Sequence, residues 1–369
     1  RLPAPGHTRD FVEGDSTVAD TTSSHGTWVL GCLAGNLPGT YVGSAYGADL
    51  ALARTEYDFS ETPAEMLYWT QGAEWADSLG ADLISSSLGY FTFDDPFPDY
   101  TYADMDGRTT DISRAAQIAA SKGILLVNSV GNEGASPWHY LIAPADVHGD
   151  SLIAVGSVDQ FGIVASNSSF GPSADGRVKP DLAARGVSVP VPSTFGDGTG
   201  YIHVSGTSLS APFVAGLAAC IMQARPQWSP LEVIRALRET ASRSTNPDMR
   251  VGFGIPNGAR AAGLPGPEFE ETLGIRTEGG NPFTPDLGDL RIRFGLSAEA
   301  AARSVRVRVH DAAGRAVRTL WSGTLTSGSS SEVTWNGRDD DGRALASGVY
   351  WAAVAGDGDL ASARVVLLR

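Results

Sequence analysis

The spacing of hydrophobic and polar positions changes along this chain, and the change divides it. Over residues 41–132 short apolar runs alternate with amphipathic stretches. Ala48 to Ala53 predicts a strand, Ala64 to Leu79 a helix presenting Met66, Leu67, Trp69, Ala73, Trp75 and Ala76, Ala81 to Ser86 a strand, Asp111 to Ser121 a helix, and Ile124 to Val127 a buried strand. Leu152 to Gly156 predicts another strand. Ser229 to Glu239 predicts a helix capped by Ser229, with Pro230 at its first position and Glu232 at the capping-box position. Strands alternating with helices imply βα crossovers: an α/β domain whose largely parallel sheet is flanked by helices and whose chemistry sits at strand ends. Beyond residue 262 the period shortens to two. Leu290–Phe294, Val305–Val309, Ala316–Leu320, Glu332–Trp335, Val349–Val354 and Ala363–Leu368 predict short strands separated by turns such as Ala313-Gly314 and Asp341-Gly342, a small all-β sandwich. Gly- and Pro-rich Gly263-Leu264-Pro265-Gly266-Pro267 opens a linker, so the chain is expected to divide into 1–262, a linker 263–285, and 286–369.

One helical stretch is apolar all round. Phe213, Val214, Leu217, Ala218, Ala219, Cys220, Ile221 and Met222 follow Gly206-Thr207-Ser208, which predicts a helix inside a large core with Ser208 at its positive end. Gly206 is expected to allow a tight turn and Pro212 to fall in the first helical turn. Ser208 is therefore either a simple cap or a nucleophile whose own N–H can face a developing oxyanion. A base and a second oxyanion donor are present upstream. His25 opens the apolar stretch His25-Gly26-Thr27-Trp28-Val29-Leu30-Gly31, and Asn132 follows the strand Ile124–Val127 in Gly131-Asn132-Glu133-Gly134. Taken singly, His25 reads equally as a helix cap and Asn132 as a left-handed turn residue.

Together, in the order His25, Asn132, Ser208 and with these flanks, they resemble the subtilisin-like serine proteases over about residues 1–262. Ile84-Ser85-Ser86-Ser87-Leu88-Gly89, Asn167 to Pro172, Gly176 to Leu182 and Gly252 to Asn257 are similar to further segments of that family. The resemblance implies a serine endopeptidase: Ser208 attacks, His25 moves the proton, and Asn132 with the Ser208 N–H holds the oxyanion. It also implies that Ser87-Leu88-Gly89 pairs with a protein or peptide substrate, and that Ser129-Val130-Gly131 and Pro144-Ala145 wall a fairly open side-chain pocket. The family aspartate, on an apolar strand before the histidine, has no match. Asp10, Asp15 and Asp20 read as solvated loop carboxylates, and the aspartate is expected upstream of residue 1, leaving these 369 residues a weak enzyme by themselves. The alternative is a catalytically impaired, protease-like surface or binding protein.

Asp311 to Arg318, Trp335 to Gly342 and Ser347 to Trp351 resemble the immunoglobulin-like domain of flagellar hook-cap proteins, which closes many exported bacterial enzymes. The chain is thus expected to be secreted or displayed at the cell surface. A net charge of −15 argues against nucleic acid or anionic membranes as partners. No apolar run approaches a membrane span in length, and a monomer is expected. Acyl transfer through serine requires no cofactor. Calcium as a structural ion stays open at the acidic loop Tyr90–Tyr102 and at Asp339–Asp341, both of which also read as ordinary loops, the first as a packed insertion or a cleft rim. Cys32 and Cys220 read as two buried free thiols or a disulfide.

Overall fold

The computed structural model of the chain describes residues 6–19, 23–194, 200–263, 273–278, 281–296, 300–326, 329–356 and 358–369. Asp20 and residues 264–267 of the expected linker lie outside them. Two compact units form, Arg1–Gln160 with Val164–Ala262, and Gly263–Arg369 with Phe161–Ile163.

The first unit runs β1 (Thr8–Asp10), α1 (His25–Ala34), β2 (Asn36–Leu37), β3 (Tyr41–Val42), β4 (Leu52–Arg54), α2 (Pro63–Ser78), β5 (Leu83–Ser86), α3 (Asp111–Ser121), β6 (Leu125–Ser129), β7 (Leu152–Val158), β8 (Leu182–Arg185), β9 (Val189–Pro192), β10 (Tyr201–Val204), α4 (Thr207–Ala224), α5 (Pro230–Glu239) and α6 (Gly258–Ala261). Strands β5-β6-β7-β8 form a parallel sheet. Because side chains alternate across a strand, adjacent residues of β6 feed two cores. Leu126 packs with Met66 and Trp69 of α2 and Ile112 of α3, while Leu125 and Val127 pack with Val214 and Ile221 of α4 and Leu237 of α5. Local signals agree with this packing. Thr62 with Glu65 and Ser229 with Glu232 close reciprocal capping boxes behind Pro63 and Pro230.

A second parallel pair, β1 with β4, stands apart from the four-stranded sheet. Among the described residues β4 hydrogen-bonds to no strand but β1, and β5 to none but β6, so each keeps one open edge. The Ser85 hydroxyl on β5 is buried without a partner. Ahead of α1 the described residues hold a single strand, β1, and it is polar.

Several expectations need correction. Gly206 is extended at φ 162°, a conformation open to any residue, so no tight turn requires glycine there. Pro212 is the sixth residue of α4 rather than part of its first turn. Cys32 is a buried free thiol, with burial pushing its pKa up to about 11, but Cys220 is free and exposed. Helix α4 is long and apolar enough to cross a membrane, with a mean hydropathy of 1.4, yet it is the core helix of this unit and its apolarity serves packing. The Tyr90–Tyr102 loop is a packed insertion: Tyr90 is buried, and Phe93 and Tyr100 pack against the first core.

The second unit is a sandwich of a three-stranded and a four-stranded antiparallel sheet, ordered β11-β12-β15 and β14-β13-β16-β17. Its strands are β11 (Leu273–Glu278), β12 (Leu290–Leu296), β13 (Arg303–His310), β14 (Ala316–Leu325), β15 (Ser330–Trp335), β16 (Gly348–Gly356) and β17 (Asp359–Leu367). Strand β11 falls within the stretch read as linker; its Leu273, Ile275 and Thr277 carry the period of two, obscured by Gly, Pro and Glu on both sides. Ile292, Val309, Trp335, Tyr350 and Leu367 pack one end of the core, and the Trp335 indole N–H donates to the Arg338 carbonyl at 2.9 Å.

Candidate active site

Ser208 is the second residue of α4, so its N–H is among the first four of the helix, which have no intrahelical acceptor. Its carbonyl is also released from the helix, because the acceptor of residue i pairs with the N–H of residue i+4, and that residue is Pro212. The hydroxyl of Ser87 donates to the freed carbonyl at 2.7 Å. The Ser208 hydroxyl is half-buried and reaches the Ser87 carbonyl only at 3.5 Å, leaving it uncommitted to a strong internal bond. Sequence thus places a serine at a helix start, and proline ties that start to the segment after β5.

Asn132 lies just past the end of β6, beyond Gly131, whose φ of +110° is a left-handed conformation suited to glycine. The Asn132 amide has a fixed orientation. Its Oδ1 accepts from the Thr207 N–H at 2.9 Å, and a backbone N–H can only donate, so the atom facing Thr207 must be oxygen. The Thr207 hydroxyl lies 3.2 Å from the same oxygen and 3.1 Å from the Gly131 carbonyl. Nδ2 is consequently the exposed, available donor next to Ser208.

His25 is the first residue of α1, and α1 packs along α4, so the histidine and the serine open two neighbouring helices. No hydrogen bond joins His25 to Ser208, and among the described residues no carboxylate hydrogen-bonds to the imidazole. Desolvation lowers the His25 pKa, countered by the negative charge of Asp58. Sequence reading missed Asp58, which lies 33 residues downstream in a polar loop, with no periodic signal to single it out.

The expected substrate segments face each other. Ser87-Leu88-Gly89 leaves β5 and Ser129-Val130-Gly131 leaves β6, the adjacent strand. A residue not anticipated from sequence bolts them together: buried Asn128 donates through Nδ2 to the Leu88 carbonyl at 2.9 Å and to the Ser129 carbonyl at 2.8 Å. The segment containing Pro144-Ala145 closes the far end, Ala143 pairing with Tyr90 in an antiparallel bridge and Ile142 N–H donating to the Val130 carbonyl at 3.3 Å. The gap between the two segments is not open. A methyl group placed on Gly89 would meet Cγ1 and Cδ1 of Ile142 at 2.8 and 2.9 Å, and one on Gly131 would meet them at 3.1 and 3.2 Å.

Behind this wall the Tyr90 hydroxyl donates to Glu56 Oε1 at 2.6 Å. Burial raises the Glu56 pKa to about 7, opposed by the Tyr90 bond and reinforced by the charge of Glu65. Folded Glu56 thus keeps its proton to higher pH than the unfolded chain does, and stability is expected to fall as pH rises from about 4.3 towards 7. Urea unfolding at pH 5 and pH 8 checks this: Glu56→Gln should reduce the difference between the two midpoints, and an unchanged difference would refute it.

The N-terminal carboxylates are engaged elsewhere. Asp10, expected in a solvated loop, is buried at the end of β1. Burial alone would raise its pKa, but the Glu13 N–H, the Arg54 guanidinium at 2.8 Å and the Val12 N–H hold it below the ordinary value. Asp15 is exposed and accepts from the Thr17 N–H at 2.7 Å. Among the described residues no group of three or more His, Cys, Asp or Glu side chains is arranged to hold a metal ion. The acidic loops use their carboxylates internally, Asp94 on the Glu61 N–H, Asp99 on the Phe93 N–H, and Asp339 on the Arg343 N–H.

Comparison with known proteins identifies the family of each part of the chain. The model of the subtilase family, peptidases S8, matches residues 7–254, and that of the FlgD Ig-like domain matches residues 280–359. The chain is 31% identical over 252 residues to M-protease of Shouchella clausii (strain KSM-K16) and to subtilisin BL of Lederbergia lenta. Those matches cover 68% of this chain, 58% of M-protease and 81% of subtilisin BL. Among solved structures, MycP1 with its N-terminal propeptide removed is similar with a TM-score of 0.54 at 25% identity, over 73% of this chain and 88% of that one. The chain belongs to the subtilase family of serine-type peptidases, with an appended Ig-like domain.

Proposed function

We propose that the chain carries the nucleophile, base and oxyanion donors of a serine endopeptidase acting on proteins or peptides. The Ser208 Oγ attacks the scissile carbonyl carbon while His25 takes its proton. The resulting oxyanion accepts from the Ser208 N–H and from Asn132 Nδ2. Collapse breaks the C–N bond, and His25 passes the proton to the departing amine. Water, deprotonated by His25, then attacks the acyl-serine; the acid leaves and the proton returns to Ser208. No metal or organic cofactor enters this chemistry. The substrate pairs its main chain with Ser87-Leu88-Gly89, so affinity is largely backbone-borne.

The observation that carries this reading is the Thr207–Asn132 bond, which leaves a side-chain amide donor next to a helix-terminal serine. The triad carboxylate is proposed to arrive on a strand from outside the 369 residues, seated at the open edges of β4 and β5, where the buried Ser85 hydroxyl lacks a partner. Export to the cell exterior is proposed from the secreted character of subtilisins and the Ig-like module.

A fluorophosphonate that modifies activated serines tests the assignment directly. With the protein that also carries the proposed carboxylate strand, the expected result is a single adduct, mapped by mass spectrometry to Ser208 and abolished by boiling the protein first. An unmodified Ser208 under conditions that label a subtilisin would favour the non-enzymatic, protease-like binding protein.

A further inference from the structure

We infer that Ile142 plugs the pocket for the substrate side chain immediately N-terminal to the scissile bond, restricting that position to small residues such as alanine, glycine or serine. The inference rests on the peptidase reading above and deepens it. A peptide whose carbonyl sits at Ser208 and Asn132, and whose backbone pairs with Ser87-Leu88-Gly89, must project that residue's side chain between the two facing segments. The space it would enter lies between Gly89 and Gly131. Both positions lack a side chain of their own, which would ordinarily leave a wide slot. Here the slot is filled from the far end: the branched side chain of Ile142 packs against both glycines, leaving no room for a methyl group on Gly89 and only a tight fit beside one on Gly131, where Ser169 Oγ also crowds in.

The plug is held in place. Ile142 is only 9% exposed, its N–H donates to the Val130 carbonyl, and the next residue, Ala143, is locked to Tyr90 by two backbone hydrogen bonds of 2.8 and 3.2 Å. Asn128, bonded to both the Leu88 and Ser129 carbonyls, keeps the walls from spreading. An aromatic or long aliphatic side chain would therefore have to displace a packed isoleucine. A side chain that ends at Cβ, or carries only a hydroxyl beyond it, would not.

The test uses the protein with the proposed carboxylate strand present and two peptidyl phosphonates, identical except for alanine or phenylalanine at the residue bearing phosphorus, together with a simple alkyl fluorophosphonate. The rate of adduct formation at Ser208 is followed by mass spectrometry. The alanine probe is expected to react at least about 30-fold faster than the phenylalanine probe, and Ile142→Ala should raise the ratio of phenylalanine to alanine rates by at least about tenfold. If Ile142→Ala loses cooperative unfolding, Ile142→Val, which removes one methylene, should shift the ratio in the same direction with a valine probe. A native chain that reacts as fast with the phenylalanine probe as with the alanine probe overturns the plug while leaving the nucleophile in place. So does a folded, fluorophosphonate-reactive Ile142→Ala with an unchanged ratio. Failure of all three probes to modify native Ser208 instead overturns the peptidase reading, and the plug with it.

Discussion

Replacing Asn132 by alanine is expected to lower kcat by about 10²- to 10³-fold with KM little changed, a magnitude carried over from the oxyanion-hole asparagine of a subtilisin, a member of the same family, rather than deduced from this structure. The structural basis is the one-sided engagement of the amide. Its oxygen faces the Thr207 N–H and hydroxyl, so in the proposed mechanism the nitrogen is the group left to donate to substrate, most strongly once negative charge has developed on the carbonyl oxygen. An interaction formed chiefly in the transition state lowers kcat and kcat/KM together. Ser208→Ala supplies the reference, removing fluorophosphonate labelling outright. Asn132→Asp discriminates further: a carboxylate can still accept from Thr207 but offers no donor, so it should be as poor as alanine although the loop keeps its anchor. An Asn132→Asp variant with near-native turnover would mean that Asn132 only shapes the loop.

Much of this site is legible in the sequence because short-range chemistry defines it. A serine at the start of an all-apolar helix, a histidine at the start of another, and an asparagine after a buried strand each carry a local signal, and the parallel sheet follows from the alternation of strand and helix. What escaped sequence reading depends on residues brought together from afar. Ile142 stands only in a loop until folding seats it against Gly89 and Gly131, 53 and 11 positions away. Asn128 follows the apolar run of β6 as its fourth residue, and that run predicts nothing about a polar bolt. Asp10 read as solvated because its partner Arg54 lies 44 residues on, across a parallel pairing that no local pattern announces. Pro212 read as a harmless first-turn proline; its place one turn later and the consequence, the capture of the Ser208 carbonyl by Ser87, required a partner 121 residues upstream.

The same long-range logic gives the largest expected stability effect, at Asp181. This buried carboxylate accepts from Lys179 Nζ at 2.7 Å, from Arg238 Nη2 at 2.7 Å and from the Ala154 N–H at 2.8 Å, while its own N–H donates to the Ala154 carbonyl. It therefore ties β8 to β7 within the sheet that presents the Asn132 loop. Burial would raise its pKa, but the charges of Lys179 and Arg238, with the Lys179 and Ala154 hydrogen bonds, hold it below the ordinary value. Asp181→Ala would leave the Lys179 ammonium, itself 1% exposed, buried without its counter-charge, and is expected to cost about 3–5 kcal/mol of unfolding free energy. Asp150→Ala, which removes the exposed outer partner of Arg238, should cost no more than about 1 kcal/mol. Because the depressed pKa belongs to an acid, the contribution of Asp181 is fully present above the ordinary carboxylate value of about 3.9 and is lost as pH falls through the folded value, so the gap between native and Asp181→Ala proteins should narrow in acid. Urea unfolding of both variants at pH 7 and pH 3 reads these differences. Pairing Asp181→Leu with Lys179→Met completes the reasoning: if the penalty is that of an orphaned charge rather than of a lost attraction, removing both charges should restore much of what Asp181→Ala loses, and equal destabilisation in the double variant would show that the Ala154 bonds, not the ion pair, hold these strands together.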